Sequence, residues 1–391
     1  MVPGFTANGI HVGIKADGRK DLSLVYSATP AKTAGVFTTN RFKAAPVLVD
    51  AARIKLGTAQ AILANSGNAN AATGLEGYED ALAMSKAASD ALRIDDGLVL
   101  VASTGIIGQR LPVRKIGEGM KNLVAGLRPE GIADAGEAIM TTDKFPKISC
   151  RKALVGSKEI TLCGIAKGAG MISPQMATML AFFLTDADID AFVLNGLFRQ
   201  AVNKSFNAIT VDGCMSTNDT AIILANGVAR NKPIRRGSKD YFLFKEMLFA
   251  VALELAQAIV RDGEGATKVI EINIEGAASI SDARKAAYAV ADSNLVKTAF
   301  FGCDPNWGRI ISALGASGAD LLEDAIEVFC EDVPLFAGGK GVAGCSRRLT
   351  ELMAQPTIKL RVDLGAGKKN FRLYTSDLTY EYVKINAHYH T

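Results

Sequence analysis

An α/β protein is predicted from three features of the chain. Short apolar runs alternate with segments of helical spacing through the first half, and later segments alternate apolar and polar residues as strands do. At 391 residues the chain also exceeds the size at which a single hydrophobic core stops growing, so two or more packed units are expected.

Taken in order, Ala61–Ala64 (AILA) reads as a strand running into the turn-rich Asn65–Asn70 (NSGNAN). A helix follows from about Tyr78 to Leu92, and Leu98–Ala102 (LVLVA) is a second apolar strand, expected to end in a turn at Ser103, Thr104 and Gly105. Such a junction exposes backbone amides of the kind an anion or oxyanion needs. Pro112–Leu127 fits a helix, and Ile139–Asp143 (IMTTD) fits a polar turn that holds two hydroxyls, Thr141 and Thr142. In Lys167–Leu184 (KGAGMISPQMATMLAFFL) a glycine loop leads through Ser173 and Pro174 into a buried strand headed by Thr178. Asp190–Phe206 and Ser238–Val260 have helical apolar spacing, the second with Ser238 as its N-cap and Gly263 just past its end, so that Glu264 follows a helix terminus. Val269–Glu275 and Ile358–Leu364 alternate as half-solvated strands, with Gly365–Asn370 (GAGKKN) as a hairpin loop. Gly338–Gly344 (GGKGVAG) lacks the arrangement of a phosphate loop and reads as a flexible loop. The change from long helices to shorter elements places a boundary near Gly276, dividing residues 1–275 from a smaller unit, 276–391.

Composition narrows the function. A net charge of +4, from 44 basic and 40 acidic residues without a run of either sign, carries no nucleic-acid footprint and suits a small charged substrate. Apolar stretches such as Met176–Leu184 are far shorter than a membrane span, and the first residues show no basic region followed by an apolar one, so a cytoplasmic protein is expected. The cysteines, Cys150, Cys163, Cys214, Cys303, Cys330 and Cys345, have scattered spacings that suggest neither a zinc cage nor a disulfide framework, and they read as buried thiols. With three histidines, two of them (His388 and His390) in the last four residues, a mechanism built on a Ser-His pair is disfavoured, and the terminal H-x-H reads as incidental rather than metal-binding. No metal is expected.

A threonine hydroxyl needs a base, and one chemical solution is to cut the peptide bond before it and use the freed α-amine. Ala177-Thr178 suits this, with a small preceding residue, a glycine-rich approach and a strand behind it. By itself this is weak, because a threonine opening an apolar strand is a β-former in its usual place. The sequence Lys167–Ala187, however, resembles the cleavage region of the ornithine acetyltransferases. Matching segments occur in the family's order: Ala34–Val47, Asn65–Gly74 (NSGNANAATG), Ser103–Gln109 (STGIIGQ), Met140–Asp143, Arg261–Lys268 (RDGEGATK), Asp304–Ile310 (DPNWGRI) and Tyr382–Thr391. Cys214, in VDGCMSTNDT, stands where many relatives carry an acidic residue.

The resemblance implies a fold of two central sheets between helix layers with a smaller C-terminal α/β unit. It implies self-cleavage at Ala177-Thr178 into chains 1–177 and 178–391, Thr178 as nucleophile, and Thr104 with Gly105 as oxyanion hole. Substrate contacts fall at Thr142, Lys167, Thr178, Glu264, Asn386 and Thr391, the last two on a final strand; spacing does not decide between Thr141 and Thr142. The implied reaction moves acetyl from N-acetylornithine to glutamate by a ping-pong mechanism, in a heterotetramer of two chains of each kind. No cofactor is required, and acetyl-CoA is a possible co-substrate. A self-processing aminopeptidase or amidohydrolase with the same nucleophile is the rival reading, and a non-catalytic small-molecule binding protein a third.

Overall fold

The computed structural model describes residues 1–173, 179–342 and 346–388. Its strands and helices fall into two compact units, one built from the chain up to Asn207 together with Cys214–Ile259, the other from Ala208–Gly213 and the chain from Val260. In the first unit the order is β1 (Phe5–Ile10), β2 (Leu22–Phe37), α1 (Ala45–Arg53), β3 (Thr58–Asn68), α2 (Gly74–Leu92), β4 (Val99–Ile106), α3 (Val113–Ala125) and α4 (Ile132–Ala138). It continues with β5 (Lys147–Val155), β6 (Lys158–Lys167), β7 (Leu180–Thr185), α5 (Ala191–Lys204), β8 (Thr220–Ala225) and α6 (Lys239–Arg261). The second unit holds β9 (Val269–Ala277), α7 (Ile280–Ala291), α8 (Asn294–Phe301), α9 (Trp307–Gly315), β10 (Glu327–Cys330), β11 (Val333–Ala337) and β12 (Lys340–Gly341). It ends with α10 (Ser346–Met353), β13 (Thr357–Asp363), β14 (Lys369–Ser376) and α11 (Tyr380–His388).

The expected α/β class with two multistranded sheets is what the chain forms. In the first unit the described strands join in the order β4-β3-β2-β8-β7-β6-β5, with β1 on β2. Strand β2 is the pivot. Its first half pairs with β3, its second half with β8, and the register shifts between Tyr26 and Ala31, where Pro30 interrupts the ladder. The sheet is thereby doubled over. Ile62, Ala64, Leu100 and Ala102 from β3 and β4 share one buried cluster with Ile165, Phe182, Ile222 and Leu224 from β6, β7 and β8. The opposite face of β3 and β4 buries Leu63 and Val101 against Met84 of α2 and Leu123 of α3. On the far side, Phe183 of β7 meets Phe198 of α5 edge-on, with ring centroids 5.4 Å apart. Helix, two strand layers and helix are thus stacked in one unit, as strands buried on both faces and near-continuously apolar in sequence require.

The second unit has a sheet in the order β12-β11-β10-β13-β9-β14, whose apolar face packs on α7 through Ala283, Ala287 and Val290. Several expectations are corrected here. Asn65–Asn68 and Ser103–Ile106 do not turn but extend the parallel pair of β3 and β4, because their side chains bond across the ladder. Gly365–Asn370 is not a hairpin loop: β13 and β14 flank β9 on opposite sides, since alternation marks a strand without naming its partner. The GG of Gly338–Gly339 takes φ of 58° and 73° and makes a tight β11–β12 hairpin instead of a flexible loop. The C-terminal segment through His388 is the helix α11, not a strand. The cysteines are not all buried thiols: Cys150 and Cys163 face each other across β5 and β6 and form a disulfide, and Cys214 is exposed.

Candidate active site

One end of the first unit gathers the ends of four strands. Thr104 and Gly105 lie at the C-terminal end of β4, Lys167 is the last residue of β6, and Met179 and Asp219 immediately precede β7 and β8. The Asn65–Asn70 segment builds one wall of this end with its side chains. Ser103 Oγ donates to Asn65 Oδ1 at 2.6 Å, and Asn68 Nδ2 donates to the carbonyl of Arg110 at 3.0 Å. Gly105 has φ +135°, and a Cβ there would meet the Gly67 carbonyl carbon at 2.3 Å, so only glycine lets β4 run this close to β3.

Thr104 and Lys167, 5% and 3% exposed, are brought together: the Lys167 ammonium donates to Thr104 Oγ1 at 3.1 Å. An ammonium has only donors, so it occupies a lone pair of the hydroxyl and leaves the Thr104 proton free to be donated elsewhere. Beneath them lies Asp143, whose carboxylate accepts from Lys147 Nζ at 2.6 Å, the Gly168 amide at 2.7 Å and the Thr141 amide at 2.9 Å. Burial pushes this carboxyl up, but the Lys147 and Lys167 ammoniums outweigh it and hold it at about 2. The Met140–Asp143 turn forms as expected. Its Thr141 is buried and Thr142 half-buried, and the turn is clasped from the N-terminal loop by Lys15 Nζ on the Met140 carbonyl at 2.6 Å and Arg19 on the Thr141 carbonyl at 2.8 Å. Burial, then the Arg19 charge, lowers Lys15 to about 8. Lys147 and Lys167 act on Asp143 here, while Asp17 and Asp21 act on Lys15, and Arg19 pairs with Asp17, so the cations of this region are interleaved with carboxylates.

In the second unit, Asn386 Nδ2 donates to Glu264 Oε2 at 2.8 Å. Gly265, at φ +68°, permits it: a Cβ there would stand 2.4 Å from the Tyr382 amide of α11. Glu264 therefore follows α6 as expected and is paired with Asn386 on a helix. Thr178, Ala177, Thr391 and His390 lie outside the described residues. Among the described residues no cluster of His, Cys, Asp and Glu is suited to a metal ion, and no helix is long and apolar enough to cross a membrane.

Residue-by-residue reading missed Lys15, Arg19, Asp143, Asn218 and Asp219. Asp143 and Asp219 sit inside quoted motifs, but nothing in their spacing marks them. Asn218 Nδ2 donates to the carbonyls of Ala69 at 2.6 Å and Ser103 at 2.8 Å, tying the start of β8 to the end of β4.

A profile of the ArgJ family matches residues 6–391. The chain belongs to the ArgJ family. The arginine biosynthesis bifunctional protein ArgJ of Geobacter sulfurreducens is 50% identical over 391 residues, covering 100% of both chains. Its counterpart from Symbiobacterium thermophilum is 48% identical, covering 99% of this chain and 97% of that one. A crystal structure of ArgJ from Bacillus halodurans, 38% identical, superposes with a TM-score of 0.51 over 52% of this chain and 96% of that chain. As a member of the ArgJ family the chain is an acetyltransferase of arginine biosynthesis.

Proposed function

We propose that the chain transfers acetyl from N-acetylornithine to glutamate through an acyl intermediate on Thr178, after self-cleavage at Ala177-Thr178. The observation that carries the site assignment is the buried Lys167–Thr104 hydrogen bond beside Gly105. It presents a hydroxyl proton and a backbone amide where a tetrahedral oxyanion needs donors, with an ammonium behind them. Thr178 Oγ attacks the acetyl carbonyl as its proton passes to the Thr178 α-amine. The C–N bond of the amide then breaks, the departing ornithine amine takes that proton, and glutamate reverses the sequence. Lys167 serves a substrate carboxylate, as does Thr142 or Thr141 at the neighbouring turn, and Glu264 with Asn386 serves the ornithine ammonium; Thr391 completes the contacts. The reaction uses no cofactor, takes acetyl-CoA as a second acetyl donor, and runs in the cytoplasm in a heterotetramer of two chains 1–177 and two chains 178–391. The proposed core, 1–275, is shared between the fragments, and the smaller unit, 276–391, belongs to the second.

The test combines sequencing and turnover. The shorter-numbered fragment should end at Ala177 and the other begin at Thr178. Purified protein offered glutamate with N-acetylornithine, and separately with acetyl-CoA, should form N-acetylglutamate in both. Release of free acetate in place of transfer would move the chain to the hydrolase reading. Glu264→Gln should weaken the ornithine half-reaction about tenfold more than the glutamate half-reaction, since it removes a charge from the ornithine ammonium alone; equal losses would reassign Glu264.

A further inference from the structure

Side chains from elsewhere in the first unit take up the carbonyls of the turn after α4. Ser66 Oγ of β3 donates to the Ala138 carbonyl at 2.6 Å, Lys15 Nζ to the Met140 carbonyl at 2.6 Å, and Arg19 to the Thr141 carbonyl at 2.8 Å. The loop between β1 and β2 that carries Lys15 and Arg19 is itself built on the fully buried Asp21. Its carboxylate accepts from the Val12 and Ile14 amides at 2.7 Å each and the Lys15 amide at 3.0 Å, and its carbonyl accepts from the Ser66 amide at 2.9 Å. Loop, β3 and turn thus close into one circuit of hydrogen bonds. Within it, Lys15 is the residue whose chemistry packing does not explain. It is 8% exposed, its Cγ would lie 3.1 Å from a Cβ at Gly67, and its ammonium donates a second bond, at 2.7 Å, to the Lys20 carbonyl of its own loop. Gly67 is the register partner of Gly105, so the Lys15 stem lies against the strand pair that carries Thr104 while its head reaches the turn. Among the described residues this ammonium forms no ion pair, and burying it on carbonyls alone is costly, where an unbranched apolar side chain would pack without that cost. Burial and then the Arg19 charge lower it to about 8, against the pull of Asp21 and Asp17, so it is still an ammonium at neutral pH.

We infer that Lys15 is a positioning residue for substrate binding: it straps the Met140–Asp143 turn to the strand pair at Gly67 and so sets the hydroxyl of Thr142, or of Thr141, where the substrate carboxylate is met. This rests on the reading of that turn as a substrate contact given above. A turn whose backbone is ordered only when substrate arrives loses conformational entropy at that moment, and one already fixed by the fold does not. Here the peptide planes on both sides of Thr141 are fixed in advance. Lys15 holds the carbonyl and Asp143 the amide of the plane between Met140 and Thr141, and Arg19 holds the carbonyl of the next. N-acetylornithine and glutamate share the α-carboxylate, so loss of the strap weakens both substrates, unlike loss of the Glu264 charge. Arg19 is the lesser strap, because its side chain is half exposed and also pairs with Asp17.

The experiment measures kcat and KM with N-acetylornithine and with glutamate for wild type, Lys15→Met and Arg19→Ala, each strap variant alone and combined with Thr142→Ala or Thr141→Ala, after thermal melts have established which variants fold. Lys15→Met keeps the stem against Gly67 and removes the ammonium. Its KM should rise about 10-fold for both substrates with kcat within about threefold, the pattern of lost binding that ground state and transition state share. Arg19→Ala should raise both KM values about threefold, and its exposed position keeps the test readable if Lys15→Met does not fold. Added to the threonine variant that itself raises KM, Lys15→Met should raise it by less than about twofold more, because two changes acting through one contact are not additive. Wild-type KM in Lys15→Met, or in Arg19→Ala where Lys15→Met does not fold, would overturn the proposal, as would a fall in kcat at unchanged KM or full additivity in the double variant. If neither threonine variant raises KM, the turn leaves the substrate contacts proposed above and the role of Lys15 falls with it. Absence of transfer in the wild-type protein would instead count against the function proposed for the chain.

Discussion

Thr104 carries two roles that a single substitution separates. Its hydroxyl accepts from Lys167 and has a proton left to donate, while its branched shape fills the end of β4. Thr104→Val should therefore fold, yet lower kcat about 100- to 1,000-fold with little change in KM, the range seen when one oxyanion donor is lost. Steady-state kinetics on cleaved protein check this, and near-normal kcat would leave the Gly105 amide as the donor. Asp143 makes a different prediction. Its folded pKa is depressed to about 2, so the stability it supplies is present above the unfolded carboxyl value near 4 and is lost as pH falls through that interval toward 2. Asp143→Asn removes the carboxylate that pairs with Lys147, fully buried with it. Denaturant midpoints should show a loss of about 3 kcal/mol at pH 7, and the difference between the variant and wild type should narrow at acid pH.

The pair β3 and β4 shows how an element turns composition into a site. Parallel register sets Gly67 opposite Gly105, and the side chains of Asn65 and Ser103 bond across the ladder at its end. A methyl group at Gly105 would collide with backbone of β3 at 2.3 and 2.5 Å, and the positive φ adds strain. Gly105→Ala should cost more than about 1 kcal/mol in urea unfolding and reduce kcat as well, because the amide it displaces is the second oxyanion donor. Unchanged stability and kcat would show that β4 can withdraw from β3 without disturbing the site. Helix α6 illustrates the legible case: Ser238 Oγ accepts from the Tyr241 amide at 3.1 Å, the N-cap read from the sequence.

Self-cleavage has a consequence for the whole molecule that follows from strand order. In the sheet of the first unit, a cut between Ala177 and Thr178 assigns β1 to β6 to one fragment and β7 and β8 to the other. Yet β8 pairs with β2 and β7 pairs with β6, so the β7–β8 pair from the second fragment is flanked on both sides by strands of the first. The fragments share one ladder and one buried cluster, Phe182 and Ile222 packing with Ile62 and Leu100. They should co-elute as one species in native size-exclusion chromatography and separate only in denaturant; elution of separate fragments under native conditions would contradict this pairing.

Local chemistry is why so much could be read from residues alone. Helical periodicity, N-caps and apolar runs depend on neighbours in sequence, so α2, α5, α6 and the cores of β3, β4, β9 and β13 were legible, as were the segments holding Thr104, Lys167 and Glu264. Long-range pairing is not written in any one segment. Periodicity could not tell that β13 and β14 lie on opposite sides of β9, that Cys150 faces Cys163, or that Asn65–Asn68 continues a strand. The charge network of Lys15, Arg19, Asp143, Lys147 and Lys167, and the carboxylate of Asp219 at the Met179 amide, exist only because β2 doubles over and brings strand ends from distant sequence together. Tertiary structure decides these groups because a buried charge is tolerable only where the fold supplies its partners, and those partners come from residues far apart along the chain.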